Sequence, residues 1–220
     1  MLERDYLMRL ISQAALVLGR SMGLREQMKP NEALDLIDEF LSKELRIRTR
    51  LAMGLTDEQL LQMLTVGGVP NAESVAVIAA FLQEEADLLA ELGQEAQALP
   101  RYEKALRLNL YLLRNNIEIQ DWNLYDRVNS LLKAIAPYRV DVETKRAIWS
   151  WYEEIGSFAD AENVLYELAD DSGVTPQEGE EFYTRLALHS DERLTSGGMP
   201  RDELEEGRRQ WQALMKENIG

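Results

Sequence analysis

Apolar residues recur every three or four positions along almost the whole chain, which is the spacing of one face of an α-helix. In the first segment this face consists of Leu7, Leu10, Ile11, Ala14 and Leu18. Helix-capping residues mark the starts of predicted helices along this pattern, and capping-box sequences begin at Thr56 and at Thr175. The valine-containing runs near positions 66 and 75–78 are too short, or too well flanked by helix formers, to predict strands. The pattern therefore predicts an all-α protein of roughly ten helices.

One spacing within this pattern recurs. Gly156, Phe158, Ala161 and Leu165 have counterparts at Gly93, Ala98, Tyr102 and Ala105, and a fainter set at Ser21, Leu24, Ala33 and Ile37. A glycine can end the first helix of a pair in the left-handed conformation, and a small residue lets the second helix approach closely. This arrangement is similar to the helical hairpin of tetratricopeptide repeats.

The resemblance predicts a tetratricopeptide-like array of antiparallel helical hairpins with right-handed stacking over residues 1–173. Residues 174–220 are expected to form an acidic pair of extra C-terminal helices packed on the array. The recurring alanines are 65 and 63 residues apart, close to twice a repeat of about 34 residues, so a degenerate hairpin is expected between each pair. Two residues depart from the motif: Pro100 should begin or kink its helix, and Trp149 stands where a small residue is expected.

The stretches 2–9, 31–34 and 84–87 also resemble an uncharacterised family of small bacterial tetratricopeptide-like proteins. This resemblance covers roughly residues 1–115 and leaves the C-terminal third outside it. It implies a helical-repeat fold and a bacterial, cytoplasmic protein. It implies no activity and no site residues.

Composition limits the chemistry that the chain can perform. It contains no cysteine and a single histidine, His189, which excludes disulfides and thiolate sites. No phosphate-binding glycine loop is present, and the acidic runs near 178–181 and 202–206 lack calcium-loop spacing. We therefore expect no catalytic residue, no cofactor and no metal, and no enzyme activity. No segment predicts a membrane span, and the N-terminal residues are unlike a signal peptide, so we expect a cytoplasmic protein without membrane contact.

The charge distribution restricts the class of partner. The net charge is −15, and residues 51–100 contain eight acidic residues and no Lys or Arg. Acidic surfaces repel nucleic acid and attract basic or amphipathic protein segments. Acidity that only maintains solubility is the simpler alternative.

Two sets of candidate binding residues follow from the repeat. If first-helix positions line a concave groove, Gln83, Asp87, Arg146, Ser150 and Glu153 face it. Trp149 and Trp151 lie on nearly opposite sides of one helix, so one ring is expected to be exposed and to contact a partner or a second copy of the chain. Packing of both rings in the core is the alternative.

The sequence as a whole predicts a noncatalytic protein-interaction scaffold of the helical-repeat type. Its partner would be a protein or peptide with a basic or amphipathic segment. Two alternatives remain open: a structural homo-oligomer, and a hydrolase with carboxylates in a helical cleft.

Overall fold

The computed structural model describes residues 2–120 and 122–217, and it divides into two compact units, Met1–Val140 and Asp141–Gly220. Over the described residues the chain forms twelve helices and two strands of two residues each, so the all-α prediction is confirmed. The division between the units falls at a different place from the boundary expected after residue 173. The reason is that the helix preceding that position shares a hydrophobic core with the helices that follow it.

The first unit is built around helix pairs that are consecutive in the chain. Its elements are α1 (Leu2–Glu26), α2 (Pro30–Glu44), α3 (Thr49–Gly54), α4 (Asp57–Met63), β1 (Thr65–Val66), β2 (Val69–Pro70), α5 (Ala72–Glu91), α6 (Glu95–Arg114) and α7 (Leu124–Ile135). Helix α1 packs on α2, α5 packs on α6, and α7 packs on α6.

Helix α5 is the centre of the first unit. It packs against α1, α2 and α6, and every side chain from Ser74 to Leu82 is buried. The run from Val75 to Leu82 is apolar on every side of the helix, and such a segment has to be covered on all sides. The rings of Phe40 and Phe81 meet in this core with centroids 5.1 Å apart.

The second unit consists of five helices in the described residues. They are α8 (Val142–Ile155), α9 (Phe158–Asp170), α10 (Pro176–Ala187), α11 (Asp191–Ser196) and α12 (Arg201–Glu217). Their core contains Phe158 and Leu165 of α9, Phe182 of α10 and Trp211 of α12. The Trp211 indole donates a hydrogen bond to the Pro176 carbonyl oxygen at 3.1 Å, which fixes α12 against the start of α10.

The turn glycines and small residues of the recurring motif have the conformations that were expected. Gly93 and Gly156 have φ angles of 71° and 81°, a region that glycine adopts without steric penalty. Ala98 and Ala161 are completely buried. The capping boxes at Thr56 and Thr175 are also present, each with reciprocal hydrogen bonds to the third helical residue.

Two sequence predictions are wrong. Residues 65–70 form a small strand pair, because Gly67 and Gly68 both take positive φ angles and turn the chain back on itself. The degenerate hairpins are missing: α3 and α4 have six and seven residues, and α7 is the one helix described between α6 and α8. For Pro100 the structure excludes the first of the two alternatives, because α6 begins at Glu95 and Pro100 lies inside the helix.

The start of α7 is fixed by a side-chain cap. The sequence offers Asp121 as a candidate cap for this helix, and Asp121 lies outside the described residues. The helix begins after Asn123, whose side-chain oxygen accepts a hydrogen bond from the Asp126 backbone N–H. Among all the helices described, none has both the length and the apolar character needed to traverse a bilayer.

Candidate functional site

Two adjoining cavities in the first unit form a groove beside helix α1. They have volumes of about 410 and 480 Å³, and Ala15 lines both of them. Helix α1 forms one wall, α5 lies beneath, and the residues after α6 together with α7 form the other wall. We call this feature the α1 groove.

The α1 wall is apolar and partly open to solvent. Its lining residues in the two cavities include Met8, Ile11, Ala15, Leu18 and Met22. The two methionines are 48% and 47% exposed, although large apolar side chains are normally covered. Methionine is unbranched and polarisable, so a methionine-lined wall adapts to side chains of different shapes.

The rest of the lining carries mostly negative charge. Among the described residues, five carboxylates line the two cavities, those of Glu73, Glu84, Asp87, Glu118 and Asp126. Arg127 in α7 is the one cationic side chain among the described lining residues. The groove therefore combines an apolar wall with an acidic floor and rim.

Two of these carboxylates are held in place by residues around the groove. Ser21 Oγ donates a hydrogen bond to Glu84 Oε1 at 2.9 Å, and Tyr102 Oη donates one to Asp87 Oδ1 at 2.6 Å. The Arg25 guanidinium lies 3.5 Å from Glu84 and 3.4 Å from Asp87. Burial raises the pKa of Glu84 above its ordinary value, and the Ser21 and Arg25 interactions oppose that shift.

Arg127 has a different environment from these acidic groups. Its guanidinium carbon lies 4.1 Å from the ring centroid of Trp122, which is cation–π geometry. Burial lowers the pKa of the guanidinium. Within the described part of the chain, no carboxylate forms an ion pair with it.

The comparison with protein families covers this groove and nearly the whole chain. Residues 1–216 match the model of DUF6483, a family of unknown function. The chain belongs to this family. The match to DUF6483 includes the C-terminal third, which the sequence resemblance had left out. No curated protein and no solved structure matches the chain.

In this DUF6483 chain, the structure brings two of the predicted binding residues to the groove. Gln83 and Asp87 both line it, one turn apart on α5, together with Ala80. Gln83 Nε2 donates a hydrogen bond to Ser130 Oγ on α7 at 3.2 Å. Gln83 Oε1 is buried without a hydrogen-bond partner.

The predicted residues of the second unit are placed differently. Arg146 forms an ion pair with Glu178 at 2.8 Å, and Glu153 forms one with Arg185 at 2.6 Å. Ser150 is partly buried. These two ion pairs connect α8 to α10, which gives Arg146 and Glu153 a structural role in that unit.

The prediction that one tryptophan ring of α8 is exposed is wrong. Trp149 is 7% exposed and Trp151 is 5% exposed. The Trp149 ring packs 5.8 Å from the Phe182 ring in the core of the second unit. The large side chain at the small-residue position therefore fills the space between α8 and α10 and does not form an open surface.

The exposed apolar residues that α1 contributes to the groove were not predicted from the sequence as binding residues. Met8, Ala15 and Met22 are spaced by seven residues, so they lie on one face of α1. That face also contains Ile11 and Leu18, and its apolar spacing predicts only an ordinary helix face that packs on the core. What distinguishes it is that the residues after α6 and those of α7 face it across the two cavities.

The third described cavity is less suited to a protein segment. It has a volume of about 490 Å³ and lies between α2, α3 and α6. Four of its charged side chains form ion pairs, Arg101 with Glu85 at 2.9 Å and Arg48 with Asp38 at 3.7 Å. In the described parts of the chain, no three acidic or histidine side chains converge as metal ligands would.

Proposed function

We propose that this chain is a noncatalytic, cytoplasmic interaction protein whose α1 groove binds a basic amphipathic helix. The single observation that carries this proposal is the pairing of an exposed, methionine-lined apolar wall with five carboxylates in one groove. An amphipathic helix laid into a groove buries its apolar face against such a wall. Basic residues on its flanks would meet the acidic lining.

The dimensions of the groove agree with a helical ligand. The α1 wall extends from Leu7 to Met22, which is about 22 Å at a rise of 1.5 Å per residue. A ligand helix of about 15 residues spans that length. Such a helix would lie over α5 between α1 and α7.

Charge complementarity favours a basic ligand over a second copy of this chain. The chain carries a net charge of −15, and like charges oppose self-association. A homo-oligomer that covers the α1 groove remains the alternative occupant, and the experiment below separates the two.

The proposal includes a tetratricopeptide-like relationship between the helix pairs. Its support is the shared pattern of Gly93 with Ala98 and of Gly156 with Ala161, in which the glycine has positive φ and the alanine is fully buried. In proteins of this type the first helices of successive pairs line the binding surface. Helix α5, which carries Gln83 and Asp87, would then have the position of a ligand-facing first helix.

The test uses a designed peptide of about 16 residues in which leucines form one helical face and lysines occupy the other positions. Fluorescence anisotropy measures its binding to the full chain. Two comparison peptides are a scrambled sequence of the same composition and a version with glutamate in place of lysine. We expect the patterned lysine peptide to bind most tightly, and added salt to weaken it.

A pair of variants locates the binding site. Ala15 is exposed and lines both cavities, so Ala15→Arg places bulk and positive charge in the groove and should weaken binding about tenfold or more. Gln13 is exposed on the same helix and does not line either cavity. Gln13→Arg adds the same charge and should leave binding unchanged.

Two results would overturn the proposal. One is equal binding of the patterned and scrambled peptides, and the other is equal binding by the Ala15→Arg variant and the parent. Light scattering over a range of protein concentrations tests the alternative. Self-association that Ala15→Arg abolishes would identify a second copy as the occupant.

A further inference from the structure

Arg127 is a cation that the described residues of the first unit leave without an anionic partner. It lies in the first turn of α7 and lines the α1 groove. Its guanidinium stacks on Trp122, and burial lowers its pKa. A partly buried charge is normally paired, because desolvation penalises it and a ring face offsets only part of that penalty.

The carboxylates around Arg127 are engaged elsewhere. Three of them line the same cavity, those of Glu84, Asp87 and Asp126. Asp126 accepts a hydrogen bond from Asn123 Nδ2 at 2.5 Å. Glu84 and Asp87 accept hydrogen bonds from Ser21 and Tyr102, as described above. The guanidinium is thus held beside acidic groups and paired with none of them.

A second polar group in the same cavity also lacks a partner. Gln83 uses its amide nitrogen on Ser130 and leaves Oε1 buried without a donor. Unsatisfied buried polar groups are uncommon in folded proteins and call for an explanation. Arg127 and Gln83 together offer a place for one anion and one hydrogen-bond donor.

We propose that Arg127 recognises a single acidic residue within the otherwise basic helix bound in the α1 groove, and that this contact fixes the register of the helix. A lysine or backbone amide of the same ligand would donate to Gln83 Oε1. A guanidinium binds a carboxylate through two parallel hydrogen bonds, which gives the contact a defined geometry. This inference rests on the proposed function and adds the residue that determines its specificity.

The test is a scan of the leucine and lysine peptide in which glutamate replaces one lysine at a time. Each glutamate removes positive charge, so it should weaken binding to the acidic groove at nearly every position. At the position opposite Arg127 we expect the opposite effect of glutamate on affinity, with binding about tenfold tighter than that of the parent peptide. Glutamine at that position separates the effect of the carboxylate from the loss of lysine.

Arg127→Met removes the charge and keeps an unbranched side chain, and in this variant the preferred glutamate should become unfavourable. Lys133 is exposed on the same helix and does not line the groove, so Lys133→Met is the matched control and should keep the preference. Melting curves of both variants report whether the fold is intact.

Each outcome supports or overturns the inference. If the parent peptide binds but no glutamate position is favoured, or if the preference survives Arg127→Met, Arg127 does not select an acidic residue and the proposed function stands without it. If no peptide of the series binds, both proposals are wrong. A preference that disappears only in Arg127→Met supports the assignment.

Discussion

The contact between Gly179 of α10 and Trp211 of α12 gives a sharp test of the packing in the second unit. A Cβ atom added to Gly179 would lie 2.6 Å from Trp211 Nε1 and closer still to two carbons of the ring. The ring cannot move away easily. It is 1% exposed, its nitrogen is bonded to the Pro176 carbonyl, and Tyr166 packs on its edge with centroids 5.7 Å apart.

The expected magnitude follows from two opposing effects. Replacing a helical glycine with alanine favours the helix by up to about 1 kcal/mol. Forcing an extra carbon into a filled core costs about 1–3 kcal/mol, and complete displacement of a buried tryptophan costs about 3–5 kcal/mol. Because the clash involves a fixed ring, we expect Gly179→Ala to lower the free energy of unfolding of the second unit by about 1–3 kcal/mol.

Urea unfolding followed by near-ultraviolet circular dichroism measures this change. Gly19→Ala in α1 is the chemical control, because a Cβ atom added at Gly19 would meet nothing within 4 Å. This substitution should stabilise the first unit by about 0.5–1 kcal/mol. In a Trp211→Phe background the smaller ring should reduce the penalty of Gly179→Ala, which a double-mutant cycle detects. A Gly179→Ala protein as stable as the parent would refute the packing between α10 and α12.

Three further predictions concern the second unit. Trp149→Ala should lower the free energy of unfolding by about 3–5 kcal/mol, as loss of a buried ring does, and denaturant titration would show an unchanged midpoint if the ring were exposed. Hydrogen bonds from Arg146, and after it from Thr175, lower the pKa of Glu178 from 4.5 to about 2. The stabilisation that these bonds provide is therefore present above pH 4.5 and lost as the pH falls toward about 2. Glu178→Gln should thus destabilise the protein at neutral pH and lose that effect in acid, and a difference independent of pH would contradict this reasoning. Lys145 bonds Asp171 at 2.8 Å with its side chain 8% exposed, so Lys145→Met should destabilise by about 1.5–3 kcal/mol in thermal melts, whereas no change would show that the pair contributes nothing.

The features that the sequence predicts well are local. Thr56 and Thr175 form capping boxes because the residues that complete each box lie three positions away in the chain. Gly93 and Gly156 turn the chain for a similarly local reason, since glycine tolerates positive φ. These features account for the starts of α4 and α10 and for the turns that follow α5 and α8.

The features that it misses depend on which elements meet in space. The burial of Trp149 follows from the position of Phe182 on α10, and no spacing within α8 encodes it. Whether Met8 and Met22 line a groove depends likewise on which elements face α1 across the two cavities. Gln83 and Asp87 were predicted to share one surface because the repeat register places first-helix positions together, and the structure has both lining one cavity, one turn apart on α5.

Adjacent residues on α5 restrain its rotation about its own axis. Glu84 accepts a hydrogen bond from Ser21 on α1, and Glu85 accepts hydrogen bonds from Thr49 on α3 and from Arg101 on α6 at 2.6 and 2.9 Å. Successive residues of a helix point about 100° apart. Any rotation or sliding of α5 therefore breaks the hydrogen bond of Glu84 and the hydrogen bonds of Glu85 together. Opening of this helix therefore requires its neighbours to separate, so the amide hydrogens of α5 should be among the slowest in the first unit to exchange with deuterated solvent.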